Sequence, residues 1–113
     1  MPTKVIETYA TFMLDKNVSY NFHGLGVRHP DALIKMKAPD GWVAWAYFLP
    51  DEPVLGHYSD DQHKRVTGFF PARQYAWVLD MLRNEGPCRF NFGQDRFEVW
   101  TGWEEAGVSD LDG

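Results

Sequence analysis

The sequence contains only one cysteine, Cys88, so no disulfide bond can form within the chain. Long apolar runs are also missing: the longest, residues 42–49, falls far short of the roughly 20 residues that cross a bilayer. No basic region followed by an apolar stretch comes after Met1, so we expect no signal peptide. Together these absences predict a protein without membrane contact in a reducing compartment, for which the cytoplasm is the simplest assignment.

A basic excess is missing as well. The formal net charge is −5, and much of the negative charge lies in the last ten residues, at Glu104, Glu105, Asp110 and Asp112. We therefore expect one globular domain over residues 1–103, nearly neutral, followed by an acidic tail over residues 104–113. Domains that bind a phosphate backbone normally carry a basic excess, so nucleic-acid binding is not the first expectation.

Aromatic residues are abundant, with five Trp, five Tyr and eight Phe in 113 residues. Each ring covers about 150–250 Å², which makes rings the main carriers of burial energy in cores and interfaces. So many rings in a small domain predict that several of them reach the surface.

One helix is predicted over residues 71–85. Pro71 suits a first helical turn, Gly86 suits a left-handed C-terminal cap, and Pro87 prevents continuation. The spacing of one helical face is shown by Tyr75, Val78, Leu79 and Leu82.

The remaining elements read as strands. Apolar residues alternate with polar ones in two predicted hairpins, over residues 32–49 and 89–99, and two short strands are predicted at residues 18–22 and 64–69. Residues 3–15 carry conflicting signals: their apolar spacing favours a helix, whereas their β-branched and aromatic residues favour a strand. We expect an α+β protein with a mainly antiparallel sheet of about five or six strands, the helix at 71–85 and a possible N-terminal helix over 3–15.

Residues 42–49 are apolar on both faces of the predicted strand. Such a strand must be covered on both sides or it leaves an adhesive patch. An N-terminal helix, a sheet that curls over itself, a second copy of the chain in a two-fold dimer, or a foreign partner could supply the cover. Interface cores favour large aromatic residues, so we predict a partner-binding surface. Its predicted residues are Trp42, Trp45, Tyr47, Phe48, Trp100 and Trp103.

The segment HYSDDQH, residues 57–63, resembles a metal or acid–base site because it holds two histidines and two aspartates. Metal sites need three or four ligands that converge at about 2 Å, and nothing in this spacing demands convergence. We interpret the segment as a solvated loop. One alternative is a Zn²⁺ or small-ligand site formed by His57, Asp61 and His63. Another is an enzyme whose active site is built around this loop or around Cys88. We interpret Cys88 as a small buried thiol.

Cations next to aromatic rings suggest nucleic-acid binding as another alternative. Aromatic platforms combined with cations hold single-stranded nucleic acid. The residues that could form such a sheet face are Lys35, Lys37, Arg89, Arg96 and Trp100.

The sequence therefore predicts a small, non-catalytic, cytoplasmic protein-binding module without a cofactor. It would act as an adaptor or inhibitor by occupying a partner protein through an aromatic sheet face and acidic edges. Bacteriophage proteins that block host proteins are a class-level analogy for this mode of action. Single-stranded nucleic-acid binding is the first alternative, and an enzyme or ligand binder is the second.

Overall fold

A computed structural model describes residues 2–15, 17, 19–22, 26–50, 56–93 and 96–101 of the chain. The predicted tail at 104–113 and Trp103 lie outside these residues. The elements are β1 (Thr3–Val5), β2 (Thr8–Met13), β3 (Tyr20–Asn21), β4 (Val27–Arg28), β5 (Ala32–Lys37), β6 (Val43–Leu49), β7 (Tyr58–Asp60), β8 (Arg65–Pro71), a 3-10 turn (Ala72–Gln74), α1 (Tyr75–Asn84), β9 (Cys88–Phe92) and β10 (Phe97–Thr101).

The largest unit is a five-stranded sheet in the order β2-β5-β6-β8-β7. Strands β5 and β6 form the antiparallel hairpin predicted over residues 32–49. Strand β7, which follows β6 in the chain, forms the edge of the sheet, and β8 lies between β7 and β6. Strand β8 is antiparallel to β7 and parallel to β6. One parallel pair thus interrupts an otherwise antiparallel arrangement.

Two smaller sheets accompany it. The predicted hairpin of β9 and β10 is present, with Phe97 opposite Phe92, and β1 extends it to the order β1-β9-β10. Strands β3 and β4 form a two-stranded ribbon. The α+β class and the antiparallel character are confirmed, but the expectation of a single sheet of five or six strands was wrong.

The expected N-terminal helix over residues 3–15 was also wrong. The segment forms β1, which pairs with β9, and then β2, which pairs with β5. A hydrogen bond of 2.9 Å from the Ile6 N–H to the Cys88 carbonyl and one of 2.8 Å from the Glu7 N–H to the Lys37 carbonyl link the two sheets at this crossing. Pairing with both sheets gives the backbone N–H and C=O groups of this segment hydrogen-bond partners. A strand also agrees with the propensity of its β-branched and aromatic side chains.

The predicted helix is present but begins later than expected. Pro71 is the last residue of β8, and the chain passes through the 3-10 turn before α1 starts at Tyr75. The helix ends because Glu85 is extended (φ −112°, ψ 153°), so the left-handed cap expected at Gly86 is not formed. None of the helical segments in the described parts of the chain is long and apolar enough to span a membrane.

The main core lies between the five-stranded sheet on one side and α1 with the three-stranded sheet on the other. We call the side of each sheet that meets this core its inner face, and the opposite side its outer face. The fully buried centre is formed by alternate residues of the strands, together with Val78 of the helix. These strand residues are Ile34, Met36, Ala44, Ala46, Phe48, Val66, Phe90 and Phe92.

Candidate binding surface

Strand β6, apolar on both faces, is covered by its own chain over most of its length. On the inner face, Phe48 is completely buried and packs edge-on against Tyr75, with ring centroids 5.2 Å apart. On the outer face, Tyr47 is only 4% exposed, because Phe22 lies against it at 4.7 Å. Phe22 directly follows β3, so the β3–β4 ribbon positions the side chain that covers this end of the outer face. A second copy is not needed to cover β6, which is also a central strand with neighbours on both sides.

The other end of the outer face centres on Trp45, and the described residues leave it open. The Lys35 Nζ lies 3.9 Å from the centroid of the Trp45 ring, and the Arg65 Cζ lies 4.8 Å from it. Both are within the range in which a cation is attracted to the negative face of an indole ring. Lys37 is exposed on the same face of β5. We call these four residues, Trp45 with Lys35, Lys37 and Arg65, the Trp45 surface.

Strand register explains why these residues meet. Lys35 is paired with Trp45, and Arg65 is paired with Val43, one pleat away from Trp45. Residues directly opposite each other in neighbouring strands point to the same face, so the three side chains converge. On the far side of Lys35 stands the small Ala10 of β2. A groove of about 370 Å³ remains between β2 and Trp45, lined by Thr8, Tyr9, Ala10, Lys35, Lys37, Val43 and Trp45.

The other predicted binding residues lie elsewhere. Phe48 and Tyr47 are core residues, so their side chains are not available to a partner. Trp42 is half-buried against Phe92 at 4.9 Å, with the Lys4 Nζ 5.6 Å from its ring. Trp100 lies on the three-stranded sheet. Of the predicted aromatic residues that the structure describes, only Trp45 therefore belongs to the open part of the outer face.

Trp100 belongs to a polar network whose groups satisfy one another. Its Nε1 donates to the Asn91 Oδ1 at 2.5 Å, and the Asn91 Nδ2 donates to the Glu98 Oε1 at 3.0 Å. The Arg89 guanidinium lies 5.5 Å from the Trp100 ring, and the Arg96 Nη1 lies 3.8 Å from the Glu98 Oε2. A groove of about 580 Å³ runs along this strand, and the two charged residues that line it, Arg96 and Glu98, are opposite in sign and close together. We therefore expect this groove to attract a charged ligand less strongly than the Trp45 surface does.

The residues predicted for nucleic-acid binding are divided between two surfaces. Lys35 and Lys37 are on the outer face of the five-stranded sheet, whereas Arg89 and Trp100 are on the outer face of the three-stranded sheet. The inner faces of the two sheets meet in one core, so the outer faces point away from each other. The predicted set therefore does not form one continuous platform.

The segment 57–63 forms strand β7 followed by a turn. The Asp60 Oδ2 lies 2.7 Å from the His63 Nδ1, and the His63 backbone N–H donates to the Asp60 Oδ1 at 3.2 Å. These hydrogen bonds from His63 hold the pKa of Asp60 below its usual value. Across the described residues, which include His57, Asp61 and His63, no group of three side chains is placed to hold a metal ion. The expectation of a loop throughout was wrong: residues 58–60 form an edge strand because they pair with β8, and the following turn leads into β8.

Cys88 is buried at the start of β9. Its Sγ lies 3.3 Å from the carbonyl oxygens of both Met81 and Glu85, at the end of α1. Burial, followed by the nearby charge of Glu85, raises the pKa of the thiol. A raised pKa disfavours the thiolate, which is the nucleophilic form.

Two solvent-accessible residues were missed by sequence reasoning. Arg65 completes the Trp45 surface, and it could have been found by extending the alternation of the 64–69 strand onto the face of Trp45. Trp77 lies on the helix and is 71% exposed. Its position off the helical face that contains Tyr75 and Val78 was the one local signal of this exposure.

Comparison with known proteins found no matching family model, no similar curated protein and no similar solved structure. The class that the fold defines is α+β, and functional inference depends on the chemistry of the surface alone.

Proposed function

We propose that this protein is a non-catalytic binding protein whose Trp45 surface binds an acidic segment of a partner protein. The observation that carries the proposal is the placement of Lys35 and Arg65 within 3.9 and 4.8 Å of one half-buried indole ring. Adaptor or inhibitor action requires only that this surface be occupied. We assign this activity to the cytoplasm, as the sequence predicts.

Tryptophan and arginine are the residue types that most often dominate binding energy at protein interfaces. The Trp45 ring supplies apolar area, while its contact with Lys35 restricts the flexible lysine side chain before a ligand arrives. Restricting a side chain in advance lowers the entropic cost of binding. An apolar partner side chain that enters the groove beside Ala10 would bring neighbouring carboxylates within reach of Lys35 and Lys37.

The sign of the charge differs from the sequence-based expectation of acidic edges. The open aromatic face carries three cations, so electrostatic complementarity selects partners that present aspartate or glutamate. Asp60 of β7 lies opposite Arg65 at one border of this surface, and its carboxylate would repel acidic partners that approach from that side. Specificity would then come from both the attraction and the repulsion.

An acidic protein segment fits better than single-stranded nucleic acid. The net charge of −5 opposes a polyanion with a charge on every nucleotide more strongly than a short acidic segment, and the cations of the other sheet point away from the Trp45 surface. Base stacking on Trp45 would also compete with the two cations that already contact its ring.

The direct test is selection of ligands from a random peptide library displayed on yeast, with the full chain as bait. We expect the enriched peptides to combine aspartate or glutamate with one large apolar residue. Enrichment of basic peptides would contradict the proposal. Binding of labelled oligo-dT with a steep salt dependence, in place of acidic peptides, would establish the nucleic-acid alternative instead.

The site is then tested with one enriched peptide by fluorescence anisotropy. Loss of an anchor that contributes about 2 kcal/mol weakens binding roughly 30-fold, which is the expectation for Trp45→Ala. Trp77→Ala is the matched control, because Trp77 is a more exposed tryptophan on the helix and lies outside the surface. Equal binding by the wild type and Trp45→Ala, or a loss confined to Trp77→Ala, would locate the site elsewhere.

A further inference from the structure

Strand β2 is an unprotected sheet edge. Its sequence TYATFM contains no charged residue and no proline, and all six residues are exposed. Among the strands that the structure describes, β2 pairs only with β5. Its exposed side chains include Tyr9 at 37%, Phe12 at 39% and Met13 at 75%.

The opposite edge of the same sheet is different. Strand β7 has only three residues and ends in Asp60, whose carboxylate contacts His63. Short edges and charged side chains are the usual devices that prevent pairing with another chain. The β7 edge is short and ends in a charged residue, whereas β2 is longer and uncharged. This difference indicates that β2 pairs with another strand.

We propose that a second copy of the chain pairs with β2 in antiparallel orientation, around a two-fold axis at Ala10. The two five-stranded sheets would then form one continuous sheet. A foreign strand would need its own matching pattern, whereas the pattern of β2 is complementary to itself.

The face of each β2 residue limits the possible registers. Thr8, Ala10 and Phe12 are paired with Lys37, Lys35 and Leu33, so they share the outer face. A two-fold axis perpendicular to the sheet keeps outer residues opposite outer residues, so the registers with the greatest overlap have their axis at Ala10 or at Thr11, and each pairs five of the six residues of β2.

The Ala10 register is favoured by chemistry. Thr8 then lies opposite Phe12 of the second copy, and Tyr9 lies opposite Thr11 of the second copy. Each pair occurs twice, and each joins an aromatic residue to a β-branched one, a combination that stabilises antiparallel strands. An axis at Thr11 would instead bring Glu7 opposite Asp15 of the second copy, and like charges directly opposite are destabilising.

The cations of the Trp45 surface do not oppose this pairing. Each Lys35 is one strand away from Ala10, so three strand spacings, about 14 Å, separate the two Lys35 backbones. This distance exceeds the Debye length of about 8 Å at physiological ionic strength. The dimer would place two Trp45 surfaces side by side on one face.

Light scattering across a concentration range tests the pairing. We expect the wild type to approach twice the 13.1 kDa mass of the chain, and Thr11→Lys to remain near 13.1 kDa. Ser59→Lys is the matched control, because Ser59 is an exposed inner-face residue on the other edge strand of the same sheet. The control is expected to dimerise. A wild type that stays monomeric, or a Thr11→Lys variant that dimerises equally well, would overturn the proposal.

Cysteine cross-linking tests the register independently of any effect on folding. At a two-fold axis, the two Ala10 Cα atoms would be about 4.5–5.5 Å apart, which suits a disulfide. We expect Ala10→Cys to give a covalent dimer under mild oxidation and Thr8→Cys to give none, since the native Cys88 is buried. Cross-linking of Thr8→Cys but not of Ala10→Cys would refute this register. The pairing does not depend on the proposed ligand, because a dimer that ignores acidic peptides would reject only the proposed function.

Discussion

Replacing Gly68 with alanine should destabilise the fold, because the new methyl group would overlap the ring of Phe97. A Cβ at Gly68 would lie 2.0 Å from Cδ2, 2.5 Å from Cε2 and 2.7 Å from Cγ of that ring. All three distances are far below van der Waals contact, so a small rotation of the ring cannot relieve the overlap. Gly68 lies in the middle of β8 opposite Ala46, and it lets the β9–β10 hairpin approach the five-stranded sheet.

The magnitude follows from two opposing effects. Overpacking of a core typically costs about 1–3 kcal/mol. Alanine in place of glycine restricts the unfolded chain, which returns about 0.5–1 kcal/mol. If Phe97 swings outward instead, its contact with Phe70, now 5.7 Å between ring centroids, is lost. We expect a net loss of about 1–2 kcal/mol in the free energy of unfolding.

Urea unfolding followed by tryptophan fluorescence measures this loss. With a slope of about 2 kcal/mol per molar urea, the midpoint should fall by roughly 0.5–1 M. Gly56→Ala is the matched control, because a Cβ at Gly56 meets nothing within 4 Å. In a double-mutant cycle, Phe97→Ala should remove most of the penalty of Gly68→Ala. An unchanged midpoint for Gly68→Ala, or strictly additive effects in the cycle, would refute the reasoning.

Three further predictions concern pH, thiol reactivity and charge. Burial raises the pKa of Tyr47 from 10.0 to about 12, so the unfolded chain releases its proton first and stability falls as the pH rises from 10 toward 12. Alkaline unfolding curves should show a smaller fall for Tyr47→Phe, and an identical fall would exclude this residue as the cause. Cys88 should react with a thiol reagent at pH 8 only after unfolding in denaturant; stoichiometric labelling of the native protein would contradict its burial. Deletion of the acidic residues 104–113 should tighten the binding of an acidic peptide at low salt, and this gain should vanish at high salt; a gain that persists in high salt would argue against an electrostatic origin.

Hairpins were the part of the fold that local sequence patterns predicted best. In β9 and β10, Phe90 and Phe92 alternate with polar residues, as do Phe97 and Val99, and the structure pairs these strands in register. A hairpin requires only neighbouring segments and a turn, so its signals lie close together in the chain. The helix was predictable for the same reason, although its first turn was not.

The N-terminal segment could not be assigned from local patterns. Residues 3–15 fit a helical spacing and a strand propensity about equally well, and distant partners decided between them. β9 and β5, which pair with this segment, lie far from it in sequence. The division of the strands among three sheets could not be predicted for the same reason, because local patterns do not indicate which strands pair with each other.

The candidate site shows the same division between local and distant determinants. Alternation along residues 42–49 correctly placed Trp45 and Tyr47 on one face of a strand, since side chains of a strand alternate strictly between its two faces. The tertiary structure decided that Phe22 covers Tyr47 while Trp45 stays open, and it separated Lys35 and Lys37 from Arg89. By itself, the sequence determined the face to which each side chain points, because that is a property of the local backbone. Whether a face is buried, open or charged depends on segments that are distant in the chain, and only the tertiary structure brings those segments together.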